Sequence, residues 1–294
     1  MRAEVDNAYI EHLTEASQRK SFDPYRDIDW NVPFDDSQFY VPPDLISLYG
    51  TELWNAMSRE ERVRLSKHEA ACTMAQGIWF ENILNFKMTS YLYRTSPLDP
   101  EFYWMQREIA DECRHQMMFG EFVRHAGTPW YKPSWRAMMF GNVTRFATTK
   151  ASVFISILAA EATTDYLNRR VAQDPECHPV TRQISRIHII EEARHLGYAR
   201  HWLEENFSAL PTAVKIVARA EAPASVQIIL SQLSSPDIYA NLHLPPHAAK
   251  LARRNPARKK IRLEACAELA EFLAQIDVIN HRTAPAWRRL ALIA

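Results

Sequence analysis

The chain has 294 residues, with 35 Lys plus Arg against 35 Asp plus Glu, 47% hydrophobic residues and 24% charged ones. Balanced charge recommends neither nucleic acid nor an anionic membrane as a partner, and the length allows a substantial core. Only 6 glycines occur, none in a GxGxxG or P-loop pattern, which disfavours the common nucleotide-binding enzymes and favours helices.

The amino terminus, MRAEVDNAYIEHLTEASQRK, is polar and charged and does not read as a secretory signal. Residues 21–47, rich in Pro, Asp and aromatics, read as an extended arm laid over a body. Ser58 and Glu61 stand in capping-box spacing and open one long helix over 58–94, with a break near residue 67 as the alternative. SPLDP at 96–100 is a turn. A second helix runs from about Glu101 to His125 and stops at AGTPWYKP. A third, apolar helix covers about 146–172; its stretch ASVFISILAAEA at 151–162 is shorter than the roughly 20 residues that span a bilayer. QDPECHP breaks the chain, and Val180 to about Asn206 makes the fourth helix. Helical stretches follow at 212–234 and 246–254, then an amphipathic one at about 257–281, a candidate for self-association into a homodimer. Apolar residues recur at helical spacing nearly everywhere, so the expected class is all-α. The expected organisation is one domain over 1–294: an arm to residue 57, a bundle over 58–206 and additional helices over 207–294. Cys72, Cys113, Cys177 and Cys266 are scattered without a CxxC pair, which fits a reduced cytoplasm, and no membrane or nucleic-acid partner is expected.

Two halves of the bundle echo each other. DECRH at 111–115 matches EEARH at 191–195, so Glu112 and His115 stand i, i+3, as do Glu192 and His195. Each unit is preceded by a helix with a glutamate in its apolar middle, Glu81 and Glu161, and the offset to the following Glu-x-x-His glutamate is 31 residues in both halves. A lone Glu-x-x-His is usually a solvated surface pair, whereas glutamates among apolar residues are rarely buried without partners. Four helices pointing such residues inward at one level make a dimetal carboxylate site. Carboxylates with a few imidazoles suit iron or manganese, whose charge offsets the mutual repulsion of the glutamates. His188, Glu192 and His195 stand at i, i+4 and i+7, on one side of the helix. Alone, His188 reads more readily as a core histidine bonded to a backbone carbonyl; in register with Glu192 and His195 it reads as a ligand. Asp111 and Glu191 sit beside the ligand glutamates and are placed to orient the histidine of the opposite helix, with Arg114 and Arg194 as their countercharges; ordinary surface salt bridges are the alternative.

The pattern resembles the ferritin-like non-haem di-iron oxygenases and oxidases. HIIEEARH at 188–195, with a third histidine one turn before the second Glu-x-x-His, is most similar to the arylamine (p-aminobenzoate) N-oxygenase family. That resemblance covers roughly 58–206 and implies a ferritin-like four-helix bundle holding two iron ions, manganese remaining an alternative. By resemblance, one iron takes Glu81, Glu112 and His115, and the other takes Glu161, His188, Glu192 and His195, with some glutamates bridging. Glu69 on the same helix competes with Glu81, and the 31-residue offset favours Glu81. The resemblance further implies that O2 is used to oxidise an amine, aromatic in this family, to a hydroxylamine and onward to nitroso or nitro. Electrons would come from a separate donor, since no reductase-like segment is present. A hydroxylase or desaturase acting on C–H bonds shares six of the ligands but usually lacks the histidine at 188. A ferritin-like storage protein is the non-catalytic alternative. Aromatics and methionines at 86–94, 115–122 and 135–142 read as an apolar pocket or, more often for such spacing, as plain core.

Overall fold

Every regular element among the described residues, 7–147 and 149–294 of this computed structural model, is helical. The backbone also makes one isolated bridge, between Phe39 and Cys177. Helix α1 (Asn7–Arg19) lies over the bundle and buries Ile10 and Leu13. After the arm comes the short α2 (Glu52–Ala56). Ser58 then accepts a hydrogen bond from the Glu61 amide while Glu61 accepts one from the Ser58 amide at 2.7 Å, and this reciprocal cap starts α3 (Arg59–Leu92). No break occurs near residue 67. Asp99 and Pro100 start α4 (Pro100–Ala126), and Gly127, at φ +62°, ends it in the left-handed conformation that glycine adopts freely.

The third bundle helix consists of α6 (Lys150–Ile157) and α7 (Thr163–Gln173), joined without interruption by a π turn at Leu158–Ala162. Its apolar stretch is the centre of the core: Val153, Phe154, Ile155, Ile157 and Leu158 are almost completely excluded from solvent. Pro179 opens the fourth, α8 (Pro179–Asn206). Before α6 stands a helix that propensity does not announce, α5 (Trp135–Thr144), capped by the Ser134 hydroxyl. A Cβ on Gly141 would come within 2.6 Å of Ile83 and 3.1 Å of Trp79, so glycine is what lets α5 rest directly on α3.

Of the carboxy-terminal helices, α9 (Thr212–Gln232), α12 (Pro256–Gln275) and α13 (Ala284–Arg289) extend this core, whereas α10 (Pro236–Asn241) and α11 (Ala248–Arg254) bury Ile238, Tyr239, Ala248 and Ala252 in a separate cluster with Ile46, Leu48 and Trp54. Val226, Leu269, Leu273 and Trp287 belong to the same buried cluster as Phe154 and Trp202. Helix α12 stops at Gln275, short of the expected 281. There the amides of Val278 and Ile279 both turn back to the Leu273 carbonyl at 2.9 Å, Asp277 adopts φ +62°, and Val278 is buried.

Between α1 and α2 the chain runs through turns, one of them a 3-10 turn at Pro43–Leu45, and is held by aromatic stacking. Trp30 stacks on His125 at 5.1 Å, and Tyr40 on His178 at 4.6 Å. One buried charge ties the bundle to its extension. Lys87 of α3, with no exposed surface, donates to Glu221 of α9 at 2.6 Å and to Ser152 and Ser156 of α6 at 2.9 and 2.6 Å. Among the described residues no helix is long and apolar enough to cross a membrane.

Candidate metal centre

Four helices bring seven side chains to one level of the bundle. Glu81 comes from α3, Glu112 and His115 from α4, Glu161 from the π turn, and His188, Glu192 and His195 from α8. None is more than 7% exposed. Their donor atoms form two groups, each with all atoms within 4.8 Å of one another: Glu81, His115 and His188, then Glu112, Glu161, Glu192 and His195.

Glu112 and Glu192 lie between the two groups. His115 Nδ1 is 3.3 Å from Glu112 Oε2 and 3.2 Å from Glu192 Oε1. His195 Nδ1 is 3.4 Å from Glu112 Oε1 and 3.1 Å from Glu192 Oε2. Each of these carboxylates therefore turns one oxygen to each side. Glu81 flanks the first group, 3.8 Å from His115, and Glu161 flanks the second, 3.9 Å from His195. Glu69 lies elsewhere, accepting from the amide and hydroxyl of Ser47.

The division of the ligands differs from the sequence expectation at His188. Its Nε2 is 3.6 Å from Glu81, and its ring centre is 4.0 Å from that of His115, so it joins the Glu81 side rather than the Glu161 side. The reason is axial. His188 and His195 share a face of α8, but seven residues of helix separate them by about 10 Å. The two imidazoles therefore bracket Glu192 from opposite ends.

Behind two of the three cluster histidines stands a carboxylate from the opposite helix. His115 Nε2 is 2.8 Å from Glu191, and His195 Nε2 is 3.4 Å from Asp111. Arg114 donates to Asp111, while Arg194 lies 3.5 Å from Asp111 and 3.8 Å from Glu191. The arm reaches this layer too: the Phe22 amide donates to Glu191 at 3.4 Å.

The donor set fits two divalent ions. Both oxygens of Glu161 and one of Glu81 are buried without any hydrogen-bond partner, a cost that the apolar surroundings do not offset. Burial, with Glu112 next to one and Glu192 next to the other, pushes Glu81 and Glu161 well above the carboxylate range. Burial acts the same way on Glu112 and Glu192, but His115 and His195 outweigh it and hold both below that range. Despite burial, the adjoining carboxylates raise His115 and His195 well above the ordinary imidazole value. Burial and the charge on His115 drive His188 down to about 3, so it stays a neutral donor. In the metal-free protein, protons thus substitute for cations. Loading two divalent ions at neutral pH is expected to displace the protons on Glu81, Glu161, His115 and His195. Calorimetry in buffers of different ionisation enthalpy measures that release directly, and a release near zero would contradict a site built from these groups.

The cluster forms one wall of a cavity of about 630 Å³. Glu81, Glu112, Glu161, His188 and Glu192 line it together with Gly77, Phe80, Leu84 and Phe119, with Thr164 and Asn168 as polar wall positions. Phe119 stacks on His188 at 4.9 Å, and a Cβ on Gly77 would come within 2.5 Å of Phe119. A glycine in mid-helix, costly by propensity, was the available signal for this close approach. Of the other expected pocket residues, Phe140 lines a smaller cavity beside this one, whereas Phe86, Met117, Met138 and Met139 are exposed. A second cavity of about 860 Å³ shares Thr73, Met74, Asn168 and Leu233 with the first and reaches Glu69, Arg258 and Arg262. Sequence reasoning missed these arginines, since nothing in a charged amphipathic helix marks two of its arginines as inward. It also missed Glu108, one turn before Glu112, which is buried with both oxygens unpartnered and pushed by burial up to about 8.

A family profile described as p-aminobenzoate N-oxygenase AurF matches residues 3–277. Uncharacterized proteins of Mycobacterium bovis and Mycobacterium tuberculosis are 29% identical over 222 residues, 70% of this chain and 63% of theirs. The matched region thus spans under two thirds of those relatives. An R2-like ligand-binding oxidase variant, reconstituted with a Mn/Fe cofactor, superposes with a TM-score of 0.54 at 14% identity, over 94% of this chain and 95% of that one. This likeness establishes the fold, a ferritin-like helical bundle.

Proposed function

The chain belongs to the p-aminobenzoate N-oxygenase AurF family, and on that premise we propose that it is a di-iron N-oxygenase that uses O2 to oxidise an aromatic amine. The observation that carries this reading is the third imidazole. His188 adds a neutral nitrogen donor to the Glu81 and His115 side and also stands on the cavity wall. Glu81, His115 and His188 would hold one iron and Glu161 and His195 the other, with Glu112 and Glu192 shared between them. When bound, the two irons supply the reduction of O2 that delivers oxygen to the amine nitrogen, with electrons from a separate donor.

The protein's own residues do the rest. Glu191 and Asp111 fix the ring orientation of His115 and His195 and keep the Nδ1 lone pairs aimed at the cluster. Phe80, Leu84 and Phe119 exclude water from the space facing His188 and give an aromatic ring its apolar contact. An amine placed there has its nitrogen beside the cluster and its far end toward the second cavity. At that far side, Arg258 and Arg262 supply a place for an acidic substituent.

The test is anaerobic loading with two equivalents of Fe(II), followed by isotopically labelled O2, a chemical reductant and a panel of anilines with and without a carboxylate. Label appearing on the amine nitrogen supports the reading. Label only on carbon would move the protein to the hydroxylases, and consumption of O2 with no labelled product would point to iron storage. Replacing His188 by Ala is expected to lower iron affinity on the Glu81 side by an order of magnitude or more, because even indirect supports of a metal site carry about 10- to 100-fold. Iron titration followed by absorbance checks this independently of turnover; unchanged affinity would remove His188 from the ligand set.

A further inference from the structure

The two cavities beside the cluster share their walls. On α3, Glu69 and Ala70 line the second cavity, Thr73 and Met74 line both, and Gly77, Glu81 and Leu84 line the first. On α8, Thr181 and Ser185 line the second, and His188 and Glu192 the first. Steps of three and four residues keep each series on one face of its helix, so the same two helices wall a single passage. Glu69 and Glu81 are twelve residues apart, hence about 18 Å along α3. Arg258 of α12 lines the cavity at the Glu69 end and not the one at the cluster. The amine and carboxylate of 4-aminobenzoate lie about 7 Å apart, the reach of two extended residues. That molecule cannot touch the cluster and Arg258 together.

The end at Arg258 is cationic. Residues 238–263 hold seven Lys or Arg and no Asp or Glu, in a chain where the two signs balance. Among the described residues, the side chains of Lys250, Arg253, Arg254, Arg258 and Lys259 make no ion pair and no hydrogen bond. Arg262, one turn inward, already donates to Gln227 and to the Leu290 carbonyl. Glu69 accepts from the amide and hydroxyl of Ser47, and one carboxylate leaves these cations in surplus. The wall also carries an unmet polar group. Thr181 is 1% exposed, and its hydroxyl is buried without a partner, a cost that a hydrogen-bonding ligand removes.

We infer that the passage takes an amine carried on a 4′-phosphopantetheine arm, with the amine at the cluster and the phosphate at Arg258. This rests on the N-oxygenase reading and names its substrate class. The arm is an extended chain with two amide links, of the order of length that the passage demands, and the Thr181 hydroxyl is a partner for an amide. Arginine suits the phosphate because its planar fork engages two oxygens at once. The exposed Arg253, Arg254 and Lys259 are left for whatever bears the arm, either the further phosphates of coenzyme A or the acidic surface of a carrier protein.

Equilibrium binding to the full iron-loaded chain, kept free of O2, tests this without turnover. The probes are the 4-aminobenzoyl thioesters of coenzyme A, of an acyl carrier protein and of pantetheine lacking phosphate, with free 4-aminobenzoate beside them. At least one phosphate-bearing thioester should bind tenfold or more tighter than the phosphate-free thioester and the free acid. Arg258→Gln with Lys259→Gln should remove that margin, whereas Arg289→Gln, at an exposed cation of α13, should preserve it. Thr181→Val should weaken the thioester about fivefold, the worth of one hydrogen bond, with no fall in melting temperature. Tighter binding of the coenzyme A form assigns the arm to that cofactor, and tighter binding of the protein-linked form assigns it to a carrier. Equal affinity with and without phosphate, free acid binding as tightly as the thioester, or a margin that survives the Arg258 and Lys259 substitutions would each overturn the inference. The two readings fail separately. Label on the nitrogen of a free aniline with no thioester binding would leave N-oxygenation and remove the arm; thioester binding at Arg258 with label only on carbon would do the reverse.

Discussion

Replacing Glu192 by Ala is expected to abolish retention of both metal ions, not of one. Its two oxygens face different histidines, His115 at 3.2 Å and His195 at 3.1 Å, so no other single substitution except Glu112→Ala removes a donor from both sides. The loss is electrostatic as well as geometric. Two divalent ions among four glutamates are neutralised, whereas with three a positive charge is left in a dry core. Metal content after loading and desalting should fall from two ions per chain to near none, and the rise in melting temperature that metal confers on the unaltered protein should vanish. Glu81→Ala and Glu161→Ala, which lie at the two ends, should each weaken only one ion. A Glu192→Ala protein that kept two ions would show that the carboxylates do not bridge.

The second large effect falls on stability. Lys87→Met should destabilise the protein by about 3–5 kcal/mol, because it strands Glu221 as a buried charge between α3, α6 and α9. Burial pulls Lys87 below the ordinary lysine value, and Glu221 acts in the opposite direction. Replacing both partners, Lys87→Met with Glu221→Leu, should recover most of the loss, since the paired charges themselves contribute little net stability once desolvation is counted. Urea denaturation of the three variants measures this. A double variant as unstable as the single one would mean that Ser152 and Ser156, left without the lysine, carry the effect.

Much of the bundle was legible because its signals are local. The Ser58–Glu61 cap, the Asp99–Pro100 start and the Pro179 start each act within one turn. The glutamates stood out for a different reason: a carboxylate in the run ILAAEATT has no local explanation and demands a distant one. What escaped the sequence depends on contacts between remote segments. Helix α5 exists because Gly141 fits against Trp79 and Ile83, and α12 ends early because the Leu273 carbonyl captures two later amides. His188 was placed on the correct face, but facing does not specify depth along a helix, and depth decides which group of donors it joins. The arginines of the second cavity were hidden because inward and outward arginines look alike in a charged helix.

The π turn at Leu158–Ala162 sets a condition on how this chain can change by descent. Such a turn stores one residue beyond what an α-helix of the same span holds. A single-residue deletion there would restore a regular α-helix. It would also rotate Glu161 by about 100° relative to Ser152 and Ser156, uncoupling the cluster from the Lys87 network upstream. Lineages that lose the extra residue must therefore lose or relocate this carboxylate as well, and the surplus residue and the glutamate should be inherited as one character.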